Sequence, residues 1–574
     1  MVSTTPLAMS PEFRTQSLER MRTEQFDVLV IGGGVTGGGA ALDATSRGLS
    51  VALVEARDFA SGTSSRSSKL IHGGLRYLEQ LNFSLVQEAL KERSLILDRL
   101  CPHLAHPVPF ILPLQHRGWE RLYLGSGVLL YDTMAGRHKA VPSHRHLSRS
   151  EALRQFPSLR KDALIGAIKY YDGQVDDARH TMFLSRTAAQ YGAALATSTR
   201  VTGLLREGDR VVGVRAVDLE TSEELEIHAR ATVNAAGVWT DDIQEMVGGR
   251  GQFNVRASKG VHILVPRDRI HGETGLISRT EKSVLFVIPW GKSHWIIGTT
   301  DTDWELDRAH PAASRTDIDY LLDHVNAILT SPLTHDDVEG VYAGLRPLLA
   351  GESEATSKLS REHAVITPVA GLVMVAGGKY TTYRVMAKDA IDLAVQGFPT
   401  TVAESTTETT RLAGAEGYHA AWNARHRLAE DSGLHVNRIE RLLGRYGSLL
   451  HELLEMVAEH PDLGEPLTGA DEYLRVEIAY AASHEGALHL DDVLTRRTRI
   501  SIETFHRGVD VAQEVAELVA PILGWDDDRV AAEVEHYTQR VQAERESQQM
   551  DDDQTADAAR MGADDVRTGI PTGA

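Results

Sequence analysis

Three glycines, Gly32, Gly34 and Gly37, with an acidic residue at Glu55, form the most specific chemical pattern in the chain. G-x-G-x-x-G followed about 20 positions later by a carboxylate is the spacing of a dinucleotide turn. The glycines permit a tight turn and close approach of a pyrophosphate. The helix behind them offers unpaired N–H groups and the positive end of its dipole, and Glu55 accepts hydrogen bonds from ribose hydroxyls. Glycine triplets also occur in ordinary loops, so context decides. Here the turn follows the apolar run 27–31, opens an alanine-rich segment that closes near Arg47 and Gly48, and precedes the apolar run 51–55. That is a complete βαβ unit.

NAD and FAD both fit such a unit, and the following segment separates them. It reads Thr63-Ser64-Ser65-Arg66-Ser67-Ser68-Lys69-Leu70-Ile71-His72-Gly73-Gly74. A hydroxyl-rich loop running into His-Gly-Gly suits a second phosphate and the edge of an isoalloxazine, and NAD folds seldom need it. The cofactor contacts expected here are Thr63, Ser64, Ser67, Ser68, Leu70, His72 and Gly73; a polar surface loop is the competing reading. The strand ending at Ala235 and Gly237 is expected beside the nucleotide. A second strand–glycine–helix unit spans the buried run 372–376, Gly377-Gly378 and a helix from near Thr381 to about residue 396. Gly378 and Thr381 are expected to bring backbone and N-cap donors to the ring, with a plain strand–helix turn as the alternative.

These elements sit in a chain of 574 residues, too long for one hydrophobic core. Hydrophobic content of 42 % and charge of 24 % suit a globular protein. Residues 1–22 are polar with two prolines and read as a flexible lead-in. Residues 283–290 and 294–299 read as an antiparallel hairpin; beyond residue 405 the apolar residues take helical spacing, and residues 546–574 read as a disordered acidic tail. The single cysteine, Cys101, excludes an internal disulfide and fits a reducing compartment. No apolar run reaches a membrane span, so the expectation is a cytoplasmic chain, and the 25 histidines show no metal-ligand spacing, so no metal is expected. A net charge of -20 argues against a nucleic-acid partner.

With the residues 63–77, the run Gly377-Gly378-Lys379-Tyr380-Thr381-Thr382-Tyr383-Arg384 resembles the FAD-dependent glycerol-3-phosphate dehydrogenases. So do Asp176-Asp177-Ala178-Arg179, the run 233–239, Lys259-Gly260-Val261-His262, the run 288–290, Gly298-Thr299-Thr300-Asp301, Gly344-Leu345-Arg346-Pro347 and the run 492–499. The resemblance spans about residues 26–500. It implies an α/β fold of mixed α+β character: a glutathione-reductase-like, Rossmann-type FAD-binding domain over 23–405, with an interleaved antiparallel-sheet substrate domain over roughly 78–150 and 240–335. An all-helical domain follows over 406–545.

The activity implied is oxidation of sn-glycerol 3-phosphate to dihydroxyacetone phosphate, with hydride passing from C2 to flavin N5 while a base takes the hydroxyl proton. Such a site must grip a dianionic phosphate, for which Arg346 offers planar bidentate donors. The resemblance adds Arg76, Tyr77, Lys259 and Lys379 as substrate or catalytic residues. His72 and His262 are both candidate bases; His262 alternates with Val261 and Ile263 on a presumed strand and so faces away from them. For the electrons, membrane quinone and dioxygen both fit the family, and a flavin-dependent amine or hydroxyacid oxidoreductase is the wider alternative. The apolar stretch 109–131, with Arg117, Arg121 and Arg137 around it, reads either as core or as a peripheral attachment to the inner face of the cell membrane. The helical domain's apolar periodicity fits an internal face or a homodimer contact.

Overall fold

The computed structural model describes residues 7–79, 82–116, 118–134, 140–248, 254–280, 284–349 and 362–567. The strand Gln25–Ile31, buried on both faces apart from exposed Gln25 and half-buried Asp27, lies at the centre of a largely parallel sheet. Its neighbours are Val51–Val54 and Glu223–Asn234, both parallel to it, with Ala194–Ala196 beyond the first and Leu372–Gly377 beyond the second. Near-continuous Val, Ile, Leu and Ala in these strands is the signature of a sheet covered on both sides. The helices Val35–Ser46, Asp177–Gln190 and Tyr383–Ala394 pack together on one face. Glycines at Gly38 and Gly39 let that packing close: a β-carbon at Gly39 would stand 2.9 Å from the Tyr383 ring.

A ten-stranded second sheet forms the floor of the site. Its long strand Val255–Pro266 pairs antiparallel with His294–Gly298 and with Gly340–Leu349. The hairpin Val284–Trp290 to His294–Gly298 joins it. Ala105–Leu114 and Gly166–Val175 extend it on the far side. The sheet therefore draws on 166–175 and 340–349, outside the 78–150 and 240–335 expected for a substrate domain. Alternation along Val255–Pro266 separates two environments: Val261 and Ile263 enter an apolar core under the helix Arg315–Asn326, and His262 faces the other way.

The C-terminal region is built on helices including Val436–Tyr446, Arg475–His484, Ala512–Leu523 and Asp527–Ser547, plus a two-stranded hairpin, Pro466–Leu467 with Ala470–Leu474. It is fastened to the rest by buried charge. Asp58 takes Arg496 at 2.6 Å and Arg497 at 2.7 Å, while Arg499 reaches Asp176 at 2.6 Å and Asp177 at 2.5 Å. The run 492–499 is thus an interdomain clasp. Losing one partner of such a set leaves an uncompensated buried charge, at a cost of about 3–5 kcal/mol. Asp58→Ala is accordingly expected to lower the melting temperature by several degrees, measured by flavin-fluorescence melting.

Residues 7–22 and 546–567 correct the expectation of disorder at the two ends; 1–6 and 568–574 lie outside the described residues. Pro11–Thr23 is a helix with Ser10 as N-cap and Pro11 in its first turn, where a missing N–H has no consequence. Leu18 and Met21 are buried beneath it and Arg14 pairs with Asp218 at 2.6 Å. At the other end the acidic run caps a helix: Asp552 accepts the Thr555 N–H at 2.9 Å ahead of Asp553–Arg560, and Asp553 meets the buried ammonium of Lys259 at 2.5 Å. Carboxylates at a helix N-terminus are stabilised by its dipole.

Candidate active site

Gly32 holds φ at +110°, its N–H bonds the Val54 carbonyl at 2.9 Å, and a β-carbon there would come within 2.7 Å of the Ala235 carbonyl oxygen. At Gly37 an added β-carbon would overlap the Gly32 carbonyl, so this glycine sets how closely the helix approaches the turn. Gly34 precedes the first helical residue, whose N–H donates to Ser64 Oγ at 2.9 Å. Glu55 accepts the Gly33 N–H at 2.6 Å and the Arg57 N–H at 2.8 Å, and burial raises its carboxyl pKa.

Apart from Gly37, which sets the turn from behind, these positions line a cavity of about 540 Å³ bordered by Glu55, Arg57 and Trp239, by Gly32 and Gly34, and by Gly378, Lys379, His262 and Arg346. The volume is that of a cofactor site. A glycine cradle that β-carbons would fill, a helix N-terminus over it and a carboxylate at the ribose position fit FAD. Gly32→Ala forces a non-glycine residue into a left-handed turn, with strain of about 1–3 kcal/mol. The variant is expected to purify with at least about tenfold less FAD, read as the flavin-to-protein absorbance ratio.

The expected residues divide. Ser64, Ser67, Ser68, Leu70, His72, Tyr77, Thr63, Ala235 and Gly237 all border the cavity. Several of them are turned to structural partners: Thr63 Oγ1 donates to the Leu345 carbonyl at 2.6 Å, and Ser67 Oγ to Asp177 at 2.7 Å, the carboxylate that also holds the buried Lys69 at 2.9 Å. Gly73 and Thr381 stand behind the wall. Gly73 gives its N–H to Tyr131 Oη at 2.8 Å, and a β-carbon there would strike Leu90; Thr381 Oγ1 makes two 3.2 Å bonds to the backbone of His72, tying that loop to the start of the Tyr383–Ala394 helix. The expectation that Thr381 caps toward the ring gives way to this tie.

Lys259 departs further. Strand alternation gives it the side of Val261, opposite His262, and its ammonium is fully buried between Asp317 at 2.6 Å and Asp553. It cannot reach the substrate cavity. The side chain of Arg76 lies outside the described residues.

At the reacting end, Arg346 lies opposite Ser258 in the neighbouring strand. Its Nη2 donates to Thr299 Oγ1 at 3.0 Å and to the Thr300 carbonyl at 3.1 Å, and its Nη1 stands 3.4 Å from Asp301. A β-carbon at Gly260 would come within 2.4 Å of this guanidinium. His262 stacks on Tyr342 with centroids 4.7 Å apart and meets Ser68 Oγ through Nε2 at 2.8 Å. Burial, then the charges of Arg346 and Lys69, hold its pKa well below that of an ordinary imidazole. Lys379 Nζ lies 3.5 Å over the Tyr77 ring, a cation–π contact that fixes it at the cavity wall. Thr299, Asp301 and Tyr342 complete this set, and Trp239 walls the opposite end beneath Arg57; none of the four has a sequence signal of its own beyond lying in or near a family-like run.

The fold and this cavity define an FAD-binding oxidoreductase. The family model for FAD-dependent oxidoreductases matches residues 27–389, and that for the C-terminal domain of alpha-glycerophosphate oxidase matches 405–530. Glycerol-3-phosphate dehydrogenase 2 of Mycobacterium tuberculosis is 60 % identical over 98 % of this chain and 96 % of its own. The mitochondrial glycerol-3-phosphate dehydrogenase of Homo sapiens is 37 % identical over 92 % of this chain and 74 % of its own. Among solved structures, the Bacillus halodurans glycerol-3-phosphate dehydrogenase complexed with FAD superposes with a TM-score of 0.77 at 30 % identity, covering 93 % of this chain and 98 % of that one. The chain belongs to the FAD-dependent glycerol-3-phosphate dehydrogenases.

Proposed function

We propose that the chain oxidises sn-glycerol 3-phosphate at C2 to dihydroxyacetone phosphate. The observation that carries this is the convergence of Arg346, Lys379 and His262 at one end of a cavity whose other end is a dinucleotide cradle. FAD, held by the Gly32–Gly37 turn, Glu55 and the loop through Ser64 and Ser68, supplies the two-electron acceptor. Arg346 takes the phosphate dianion, with Thr299 and Asp301 fixing the plane of its guanidinium. Lys379, braced on Tyr77, adds a second positive charge. His262 receives the C2 hydroxyl proton at Nε2, the nitrogen that meets Ser68 on the cavity side. His72 positions the loop through its backbone tie to Thr381. Addition of glycerol 3-phosphate without oxygen should bleach the flavin absorbance of the purified protein; an unchanged spectrum overturns the assignment.

The reading extends to quinone as acceptor at a membrane surface. Residues 109–114 form a core strand, with Phe110, Ile111 and Leu114 buried, so that part of the apolar stretch is structural. The helix Trp119–Met134 behind it is different: Trp119, Leu122, Tyr123, Leu129 and Leu130 stand exposed along one face, Leu122 at 76 %. Arg121 is turned inward to the Leu147 carbonyl at 3.1 Å, and Arg117 and Arg137 lie outside the described residues. No described helix is long and apolar enough to cross a membrane; the exposed face of this helix is the proposed point of peripheral attachment. The exposed residues of this face are apolar and aromatic, so the contact is read as apolar insertion. Replacing Leu122 and Leu129 with aspartate is expected to reduce sedimentation with neutral-lipid vesicles by about 10–100-fold and to leave turnover with a soluble dye unchanged. Retained sedimentation overturns the attachment, and peroxide production equal to substrate consumed overturns quinone as acceptor.

A further inference from the structure

A second cavity, of about 80 Å³, lies where the C-terminal helices meet the loop that lines the main one. Arg66 borders both cavities; Arg507, Arg540 and Arg560 close the second from the C-terminal side. Two of these arginines are matched, Arg507 by Glu544 at 2.5 Å and Arg540 by Asp491. The other two are not. Arg66 donates to the Ala309 carbonyl at 2.9 Å, and among the described residues no carboxylate stands within ion-pair distance of Arg66 or of Arg560, whose side chain sits in a residue only 6 % exposed. His310, also on the wall, is held uncharged by burial and so adds no further positive charge. Buried guanidinium groups are paired or bind an anion, because an unpaired buried charge is costly. Burial and the neighbouring arginines pull Arg66 down to about 9 and Arg560 to about 10, the direction expected where positive charge is crowded.

We propose that this cavity is an anion site for a small tetrahedral oxyanion of the inorganic phosphate type, gripped between Arg66 and Arg560. The volume admits a handful of water-sized groups, enough for the ion itself. Arg560 ends the helix Asp553–Arg560, so the ion would fasten the C-terminal segment to the loop that carries Ser64, Ser67 and Ser68. The site is separate from the phosphate grip of Arg346, and its occupancy does not depend on the proposed reaction.

The test is thermal unfolding of the FAD-loaded full chain in phosphate against chloride at equal ionic strength. The Arg346→Met background removes the substrate-phosphate grip. There, phosphate about tenfold above half-saturation should still raise the melting temperature by about 1 °C, and adding Arg560→Gln should remove that rise. The proposal falls if the rise disappears with Arg346→Met alone, or if it survives Arg560→Gln. Should the double variant fail to accumulate, equilibrium dialysis of labelled phosphate against the Arg346→Met chain decides: one ion per chain supports the site, and none overturns it.

Discussion

Arg346→Met is expected to lower kcat/KM for glycerol 3-phosphate by about 10²–10⁴-fold and to leave the flavin in place. A charge-assisted hydrogen bond contributes about 1.5–3 kcal/mol, and a bidentate grip makes two of them, so the loss is about 3–6 kcal/mol in transition-state binding. Methionine keeps most of the side-chain volume between Gly260 and Thr299 and removes the donors. The preference for glycerol 3-phosphate over glycerol should collapse with it, since the discrimination rests on the phosphate contact. Asp301, with a side chain 7 % exposed, loses its partner at the same time. The melting temperature and flavin content are therefore measured alongside, and Arg346→Lys should recover part of the rate by restoring the charge without the fork. Anaerobic stopped-flow reduction of the flavin reads the effect directly. A reduction rate within tenfold of the parent would place the phosphate grip elsewhere.

The residues behind that prediction show what is legible in a single chain. The cradle was legible because its causes are local: an apolar run, glycines at fixed spacing and a carboxylate at the end of the next strand lie within about 30 residues. The orientation of His262 is local too, since alternation with Val261 and Ile263 sends it to the opposite face. The same parity argument removes Lys259 from the cavity, because Lys259, Val261 and Ile263 share one face; the motif around Lys259 outweighed the strand period. What holds Arg346 was not legible. Ser258 and Arg346 are cross-strand neighbours separated by 88 positions in sequence, and Thr299 and Asp301 arrive from a third segment. Pairing of that range depends on the closure of the whole sheet. Thr381 and Gly73 show a related limit: each looks like a ligand-facing group locally, and each has a structural partner, the His72 backbone or Tyr131, that only tertiary packing supplies. The termini show propensity overridden. A proline and a run of aspartates read as disorder alone, and as helix starts once Ser10, Thr555 and Lys259 are in place.

His262→Gln is expected to reduce kcat by about 10²–10⁴-fold, the usual worth of a positioned general base, and to change the shape of the pH profile. In the folded chain the imidazole pKa lies below that of a free histidine, through burial first and then the positive charges of Arg346 and Lys69. The ring is consequently neutral at pH 7, as a proton acceptor must be, and the acid limb of kcat/KM, which reports the free enzyme, lies below pH 6.5, about the unperturbed value. A phosphate dianion bound at Arg346 offsets one of the two charges that depress the pKa. The group then titrates at higher pH in the complex, so the acid limb of kcat lies above that of kcat/KM. Binding the substrate thus strengthens the base that acts on it. Glutamine keeps a hydrogen bond toward Ser68 and cannot take the proton, so the variant should lose both limbs together with the rate. His72→Gln separates the rival base. If that variant loses both acid limbs with the rate while His262→Gln retains them, proton abstraction belongs to the loop histidine and His262 only positions Ser68.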